Sequence, residues 1–475
     1  MAGDPEQTQR SATNRPMSAS EIAKNVKNTE TWQKYNNLEQ IAFSDIPDKY
    51  IPDVYRVLSV NSKLPYELID KTSKYRECLS VLSPEILDFL LKAAKELPSL
   101  FSKRVKLEDT EECVSDLCTV FSAWRQLLLM KESNERWSEA DYAALVYDVL
   151  RTPAVRNSSY RTQSSIHLPQ HTARCVRPSR LTTRVLKAKT VMPDGSIFIR
   201  SNSIFSLSNK KSSPYKKIDR HDSTRKTCGH EGGDMFRFQA SPSTQFPSTP
   251  GFEFVGAFLE DKKPGYDMLE FAYRQNRMSC AAALRHLHSF CIQAPVFGLI
   301  WADGKVRAHV DWYSHPETNN PTLYSATYPG PSLLEAPKSK KRKARPSNSS
   351  ELSENSDPAL FFEWDLSKRS DIISVFLLLR NLDSWVSKDF CERVKRDVKA
   401  FAHKVTEDGA VYKPWRCKGD ELQERKPLSA SSVPATSLAD SAPNSAHSDH
   451  PLKLPPITRA RPIKKTKARK ENLYR

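Results

Sequence analysis

Between Phe252 and Leu259 the chain carries its strongest central apolar run, which ends abruptly in Glu260-Asp261-Lys262. An apolar run of that length bounded by polar residues reads as a buried strand. Residues two apart on a strand point the same way, so Glu260 and Lys262 project together from the end of an otherwise buried element. Asp261 and Lys263 repeat the acid-x-Lys spacing on the opposite face. The shared side with Phe254 and Phe258 favours Glu260 and Lys262, and a one-residue slip would reverse that choice. A second carboxylate stands upstream in Val191-Met192-Pro193-Asp194, ahead of the strand-like Ser196-Ile197-Phe198-Ile199. An Asp followed by Glu-x-Lys on a strand can hold a divalent cation and steer a water. The plainer reading is a solvated, charged strand end at a sheet boundary.

The rest of the chain separates into patterned and unpatterned stretches. With 475 residues, 32 Pro against 13 Gly and only 38% hydrophobic residues, it reads as folded modules joined by polar linkers. Residues 1–18 are expected to be disordered and 19–137 to form a helical region. Ser83-Pro84-Glu85 and Asp109 with Glu112 supply helix starts there. Ser138-Glu139-Ala140-Asp141 opens a further helix. Strands are expected at Leu181–Ala188 and Ser196–Arg200, then a disordered insertion over 201–251, the strand Phe252–Lys262 and a helix over 266–291. Pro295–Trp301 and Lys305–Trp312 read as a hairpin turned by Asp303-Gly304. A second disordered insertion spans 329–358, a short strand covers Phe361–Leu366, a helix covers 370–404, and a disordered basic tail covers 418–475.

The order from 138 to 312 is helix, strands, Glu-x-Lys strand, helix, strand pair. With the residues quoted, it resembles the core of the PD-(D/E)xK nuclease superfamily, especially the nuclease-like domains found in fungal proteins. The resemblance covers 138–404. It implies an α+β or α/β architecture, a restriction-endonuclease-like mixed sheet flanked by helices behind the helical N-terminal region. Asp194 then matches the Pro-Asp motif, and Glu260 and Lys262 match the second motif. Glu139 matches a helix acid that some members carry, and Gln275 a polar position in the following helix. The implied catalytic residues are Asp194, Glu260 and Lys262, with Mg²⁺ held by Asp194, Glu260 and Glu139. The chain departs from the pattern in one respect. Asp194 and Glu260 lie 66 positions apart, which the 201–251 insertion would absorb at small loop-closure cost.

Other signals bear on partners and address. The net charge of +17 favours acidic partners such as nucleic acid. Two basic clusters carry much of it. Lys338–Arg345, with Lys340, Lys341, Arg342 and Lys343 at its centre, resembles a nuclear localisation signal read by import machinery. Arg459–Lys470, with Lys464, Lys465, Lys467, Arg469 and Lys470, suits non-specific phosphate binding. No apolar stretch is long enough for a membrane span. Nine scattered Cys without a Cys-x-x-Cys pair suggest free thiols in a reducing compartment. His309 and Asp311 share a strand face, expected to be half-exposed. Two functions are therefore expected of this chain: a nuclear Mg²⁺-dependent nuclease, or a catalytically inactive nuclease-like binding or scaffolding protein.

Overall fold

The computed structural model describes residues 15–73, 83–106, 111–169, 179–224, 240–241, 251–265, 268–314, 321–331, 361–412 and 415. Of the insertion expected over 329–358, residues 332–358 lie outside these residues, as do the tail over 418–475 and both basic clusters.

A mixed sheet forms the centre. Its strands are β1 (Leu38–Gln40), β2 (Ser159–Thr162), β3 (Gly195–Phe198), β4 (Val255–Lys262), β5 (Val296–Ala302), β6 (Lys305–Tyr313), β7 (Leu323–Thr327) and β8 (Trp364–Asp365). Their spatial order is β1-β7-β6-β5-β4-β3-β2, with β8 added alongside β6. β4 and β5 run parallel, with Glu260 opposite Ile300 and Lys262 opposite Ala302. β3 pairs antiparallel to β4, placing Gly195 opposite Leu259. β5 and β6 form the expected hairpin. Asp303 and Gly304 both take positive φ, 52° and 69°, as a two-residue turn matched to strand twist demands.

The main helices are α1 (Ala19–Lys24), α2 (Val26–Tyr35), α3 (Ile51–Leu58), α4 (Pro84–Glu96), α5 (Glu111–Glu132), α6 (Asp148–Ala154), α7 (Met268–Ser289), α8 (Arg369–Trp385) and α9 (Cys391–Glu407). Their starts follow local chemistry. The Ser18 hydroxyl and Glu21 carboxylate make a capping box on α1, and the Ser83 hydroxyl accepts from the Ile86 amide at the start of α4. Parallel strands cannot be joined by a tight turn, and α7 makes the crossover from β4 to β5, packing on both. α8 gathers α3, α4, α5 and α6 around it, and Trp385 at its end meets Phe297 of β5 at a centroid distance of 5.0 Å.

Several expectations need correction. Residues 181–186 are helical, within Arg180–Leu186, where the Ser179 hydroxyl accepts from the Thr182 amide. The β-branched Thr-Thr-Arg-Val pattern suggested a strand, but packing against α2 decides for helix. The insertion expected to be disordered over 201–251 is ordered across 201–224. Ser201–Ile204 and Pro214–Arg220 are helical there, Ile204, Leu207, Tyr215 and Ile218 are buried, and Pro214–Arg220 packs on α9. Helices of one or two turns carry too few apolar residues to show a period. Residues 15–18, placed in the disordered start, include the α1 cap. The line at 137/138 is not a break in the structure. β1 from the N-terminal region pairs with β7, and α1 packs on α7. All the described residues belong to one compact unit. The edge strand β1 and its neighbour β7 had no clear sequence signal.

Gly298 on β5 sits where a Cβ would strike the His309 Nε2 of β6 and the Asn276 Oδ1 of α7. Both neighbours are buried, so neither can swing clear. Gly298→Ala should therefore lower stability by about 2–3 kcal/mol through overpacking, read as a reduced midpoint in urea unfolding.

Candidate functional site

β4 is buried along its whole length, and its last three residues divide between its two sides. Asp261 faces Arg151 of α6. The guanidinium donates Nη1 to Asp261 Oδ2 at 2.8 Å and Nη2 to Asp261 Oδ1. Arg151 is fully buried, with its guanidinium 4.4 Å from the Trp301 ring centroid and 5.4 Å from that of Tyr147. A bidentate pair closed by two aromatic rings commits both Asp261 carboxylate oxygens to Arg151. The register in which Asp261 and Lys263 would do chemistry is thereby set aside.

Glu260 and Lys262 face the other way, toward α7. The Lys262 ammonium donates to Glu260 Oε1 at 2.5 Å and to the Asp261 carbonyl at 2.6 Å, and lies 3.9 Å from Asp194 Oδ2. Asp194 precedes β3, and its Oδ2 accepts the Asp261 amide at 2.7 Å. One backbone amide and one ammonium thus tie Asp194 to the end of β4, although 66 positions separate it from Glu260 in sequence. Glu139, in the helical turn Glu139–Tyr142, accepts the Lys263 amide at 3.1 Å through Oε2. Asp194, Glu260, Lys262, Glu139 and Gln275 all line one cavity of about 970 Å³.

The electrostatics of this wall are frustrated. Burial, then the neighbouring Asp261 carboxylate, pushes the Asp194 carboxyl up to about 6. Burial holds Glu260 well above the usual carboxylate range, and Asp194 adds to it against the pull of Lys262. Burial alone would lower Lys262, but Glu260 and Asp194 outweigh it and keep the ammonium charged. Both members of the Glu260–Lys262 pair are thus raised, Glu260 toward the neutral acid and Lys262 toward the ammonium. Glu260, Asp194 and the Asp261 carbonyl all favour the charge on Lys262. The acids are the members left short of positive charge.

Two further atoms bear on a ligand. Glu260 Oε2 and Gln275 Oε1 are buried without a hydrogen-bond partner among the described residues. An orphaned carboxylate oxygen beside a second, partly exposed carboxylate is a donor set of the hard-oxygen kind that Mg²⁺ prefers. The residues present therefore fit such an ion.

Asp194, Glu260 and Glu139 share the cavity but do not bring three ligand atoms within 4.8 Å of one another; among the described residues the group that does is Cys280, His309 and Asp311. His309 and Asp311 are buried, not half-exposed as expected, because α7 covers that side of the sheet. Their atoms are already spent on each other. His309 Nδ1 meets Asp311 Oδ2 at 2.5 Å, His309 Nε2 meets Asn276 Oδ1 at 3.1 Å, and Cys280 Sγ donates to Asn276 Oδ1 at 3.4 Å. Burial first, then Asp311, pushes the Cys280 thiol well up, so the thiolate a metal requires is disfavoured. This is a satisfied core network.

The cavity also has contributors that sequence reading missed. Ser20, Lys24 and Val26 reach it from the N-terminal helices, and Arg274 from α7. No local motif marks them; only the packing of α1 on α7 brings them there. A scan of the chain against models of known protein families finds no match, and a search of curated proteins finds no relative.

Removing charge from the two aspartates should have opposite effects. Because the folded Asp194 carboxyl titrates near 6 against an ordinary 3.8, its contribution is intact below about pH 4 and is lost as the pH rises through 6. Asp194→Asn should stabilise the metal-free protein by about 1–2 kcal/mol at pH 8, with the gain gone at pH 4. Asp261→Asn strands the buried Arg151 charge and should destabilise by about 3–5 kcal/mol. Urea unfolding of both variants at the two pH values checks the pair.

Proposed function

We propose that this chain is a nuclear Mg²⁺-dependent nuclease that hydrolyses phosphodiester bonds in nucleic acid, and that its mixed sheet is a PD-(D/E)xK core of the restriction-endonuclease type. Support for the fold comes from the parallel β4–α7–β5 unit with antiparallel β3 alongside. The observation that carries the activity is the meeting of Asp194, Glu260 and Lys262 on one cavity wall with a buried carboxylate oxygen left unpartnered.

Asp194 and Glu260 would hold the ion, with Glu139 at the same cavity as a third acid. Mg²⁺ bound there supplies Lewis acidity toward a phosphoryl oxygen and a bound water made easier to deprotonate. The chain's own residues account for the rest. Lys262 presents a fixed ammonium to the negative charge on the phosphoryl oxygens as water adds and the P–O bond to the leaving oxygen breaks. Gln275 offers a carbonyl oxygen that can orient that water. The Arg151–Asp261 pair lies behind the wall and keeps Glu260 and Lys262 aimed at the cavity.

A second reading is a binding or scaffolding protein without catalysis. It is favoured by the closed Glu260–Lys262 contact, in which lysine and acid satisfy each other. The two readings part in a cleavage assay with the purified chain, single- and double-stranded DNA and RNA, and Mg²⁺ or Mn²⁺. Glu260→Gln and Lys262→Met should each reduce cutting by about 100-fold or more while circular dichroism stays unchanged. Absence of cutting by the wild-type chain on every substrate would leave the binding reading.

The nuclear address rests on the two basic clusters. A fluorescent fusion should concentrate in nuclei, and deleting 338–345 together with 459–470 should spread it through the cell. Unchanged accumulation would remove this part of the proposal.

A further inference from the structure

The cavity has a second wall that the proposed chemistry does not use. Lys24 comes from the end of α1, Lys263 from the residue after β4, and Arg274 from the second turn of α7. Arg274 donates Nε to the Ala23 carbonyl at 2.7 Å, which anchors its stem while leaving the rest of the guanidinium for another acceptor. Lys24 and Lys263 are exposed and make no ion pair among the described residues. Lys262, in contrast, is already engaged by Glu260 and Asp194. Glu270, a further acid at the cavity, is paired with Arg307 at 3.0 Å, so Lys24, Lys263 and Arg274 line the cavity with no ion pair to its acids among the described residues. That is the charge pattern needed to hold phosphates on either side of a reacting one.

Two apolar side chains stand at the same cavity. Met192 is 55% exposed, the most exposed large apolar residue among those described, and Val26 is 52% exposed. They come from opposite sides, Met192 from the strand region before Asp194 and Val26 from the start of α2. Exposed apolar groups that flank unpaired cations offer contacts to base faces beside contacts to phosphates. The size of the cavity limits what can enter. A volume of about 970 Å³ is that of a small-ligand pocket. A pocket of that size holds a few unstacked nucleotides.

We infer that this cavity takes single-stranded nucleic acid, with flanking phosphates on Lys24, Lys263 and Arg274 and bases against Met192 and Val26. The inference deepens the nuclease reading and rests on it for the identity of the reacting group, but its test needs no cutting. Binding of fluorescent 12-nucleotide DNA and RNA oligomers to the full chain is measured in EDTA by anisotropy across a salt series. A blunt hairpin duplex of matched length serves as the comparison. The basic clusters outside the described residues contribute equally to every variant, so the differences between variants report on the cavity.

Lys24→Glu and Lys263→Glu, both at exposed positions, should each weaken single-strand binding about 5- to 10-fold. Each should also flatten the slope of log K against log salt by about 0.7, the share of one phosphate contact on a single strand. Arg274→Gln should do the same in a milder form, and Met192→Ser should weaken binding without changing the slope. Duplex affinity should stay within twofold throughout. Equal losses for duplex and single strand would overturn the inference in favour of a duplex-reading surface. Unchanged affinity and slope in both lysine variants would overturn it outright. Loss of cutting in Glu260→Gln is read in a separate assay, so the catalytic proposal and this one can fail independently.

Discussion

The site depends on one buried ion pair, Arg151 with Asp261. The end of β4 offers two acid-x-Lys pairs, Glu260 with Lys262 and Asp261 with Lys263 just past the strand, and in the sequence only the shared face with Phe254 and Phe258 favours the first. A guanidinium held 4.4 Å from the Trp301 ring centroid on one side of the sheet accepts only the residue that points there. Asp261 fills that place with two hydrogen bonds. Period two then sends Glu260 and Lys262 to the α7 side, where Asp194 and the cavity lie. The pair acts as a register pin, a use of a buried charge that does not require it to add net stability.

The same strand explains why the opposite wall is electrostatically strained. Asp194 is attached to β4 through the Asp261 amide and the Lys262 ammonium, so Asp194 and Glu260 share one lysine at the strand end. Burial penalises every one of these charges, and Lys262 can satisfy only part of the demand. A protein selected for stability alone would replace one acid. Keeping them leaves a wall short of positive charge, with Glu260 Oε2 unpartnered among the described residues. The Cys280–His309–Asp311 network behaves in the opposite manner. It is equally buried and equally rich in ligand-type atoms, yet each faces another of its own members.

Much of the sheet could be read from local pattern, because long apolar runs and the Asp303-Gly304 turn are strong signals over short distances. β4, the β5–β6 hairpin and the helices α4, α5, α7 and α8 were all legible in this way. The acids Asp194 and Glu260 and the lysine Lys262 could be named from the Pro-Asp and Glu-x-Lys steps. What escaped were elements without a period of their own: β1, with three residues, the helical turns across 201–224, and Arg180–Leu186. Their conformation is set by partners such as β7, α9 and α2, which are distant in sequence.

The sequence by itself determined that β4 would be buried, that it would end in charge, and that a carboxylate would precede it. Those are properties of composition and spacing along a few residues. Only the tertiary structure decided which of the two acid-x-Lys pairs faces the cavity, since that depends on Arg151, 110 positions upstream of Asp261. It also decided that α1 and α2 belong to the site rather than to a separate helical region. Lys24, Val26 and Arg274 carry no local signature; they become neighbours of Asp194 because α1 packs on α7, a contact that no stretch of the chain encodes alone.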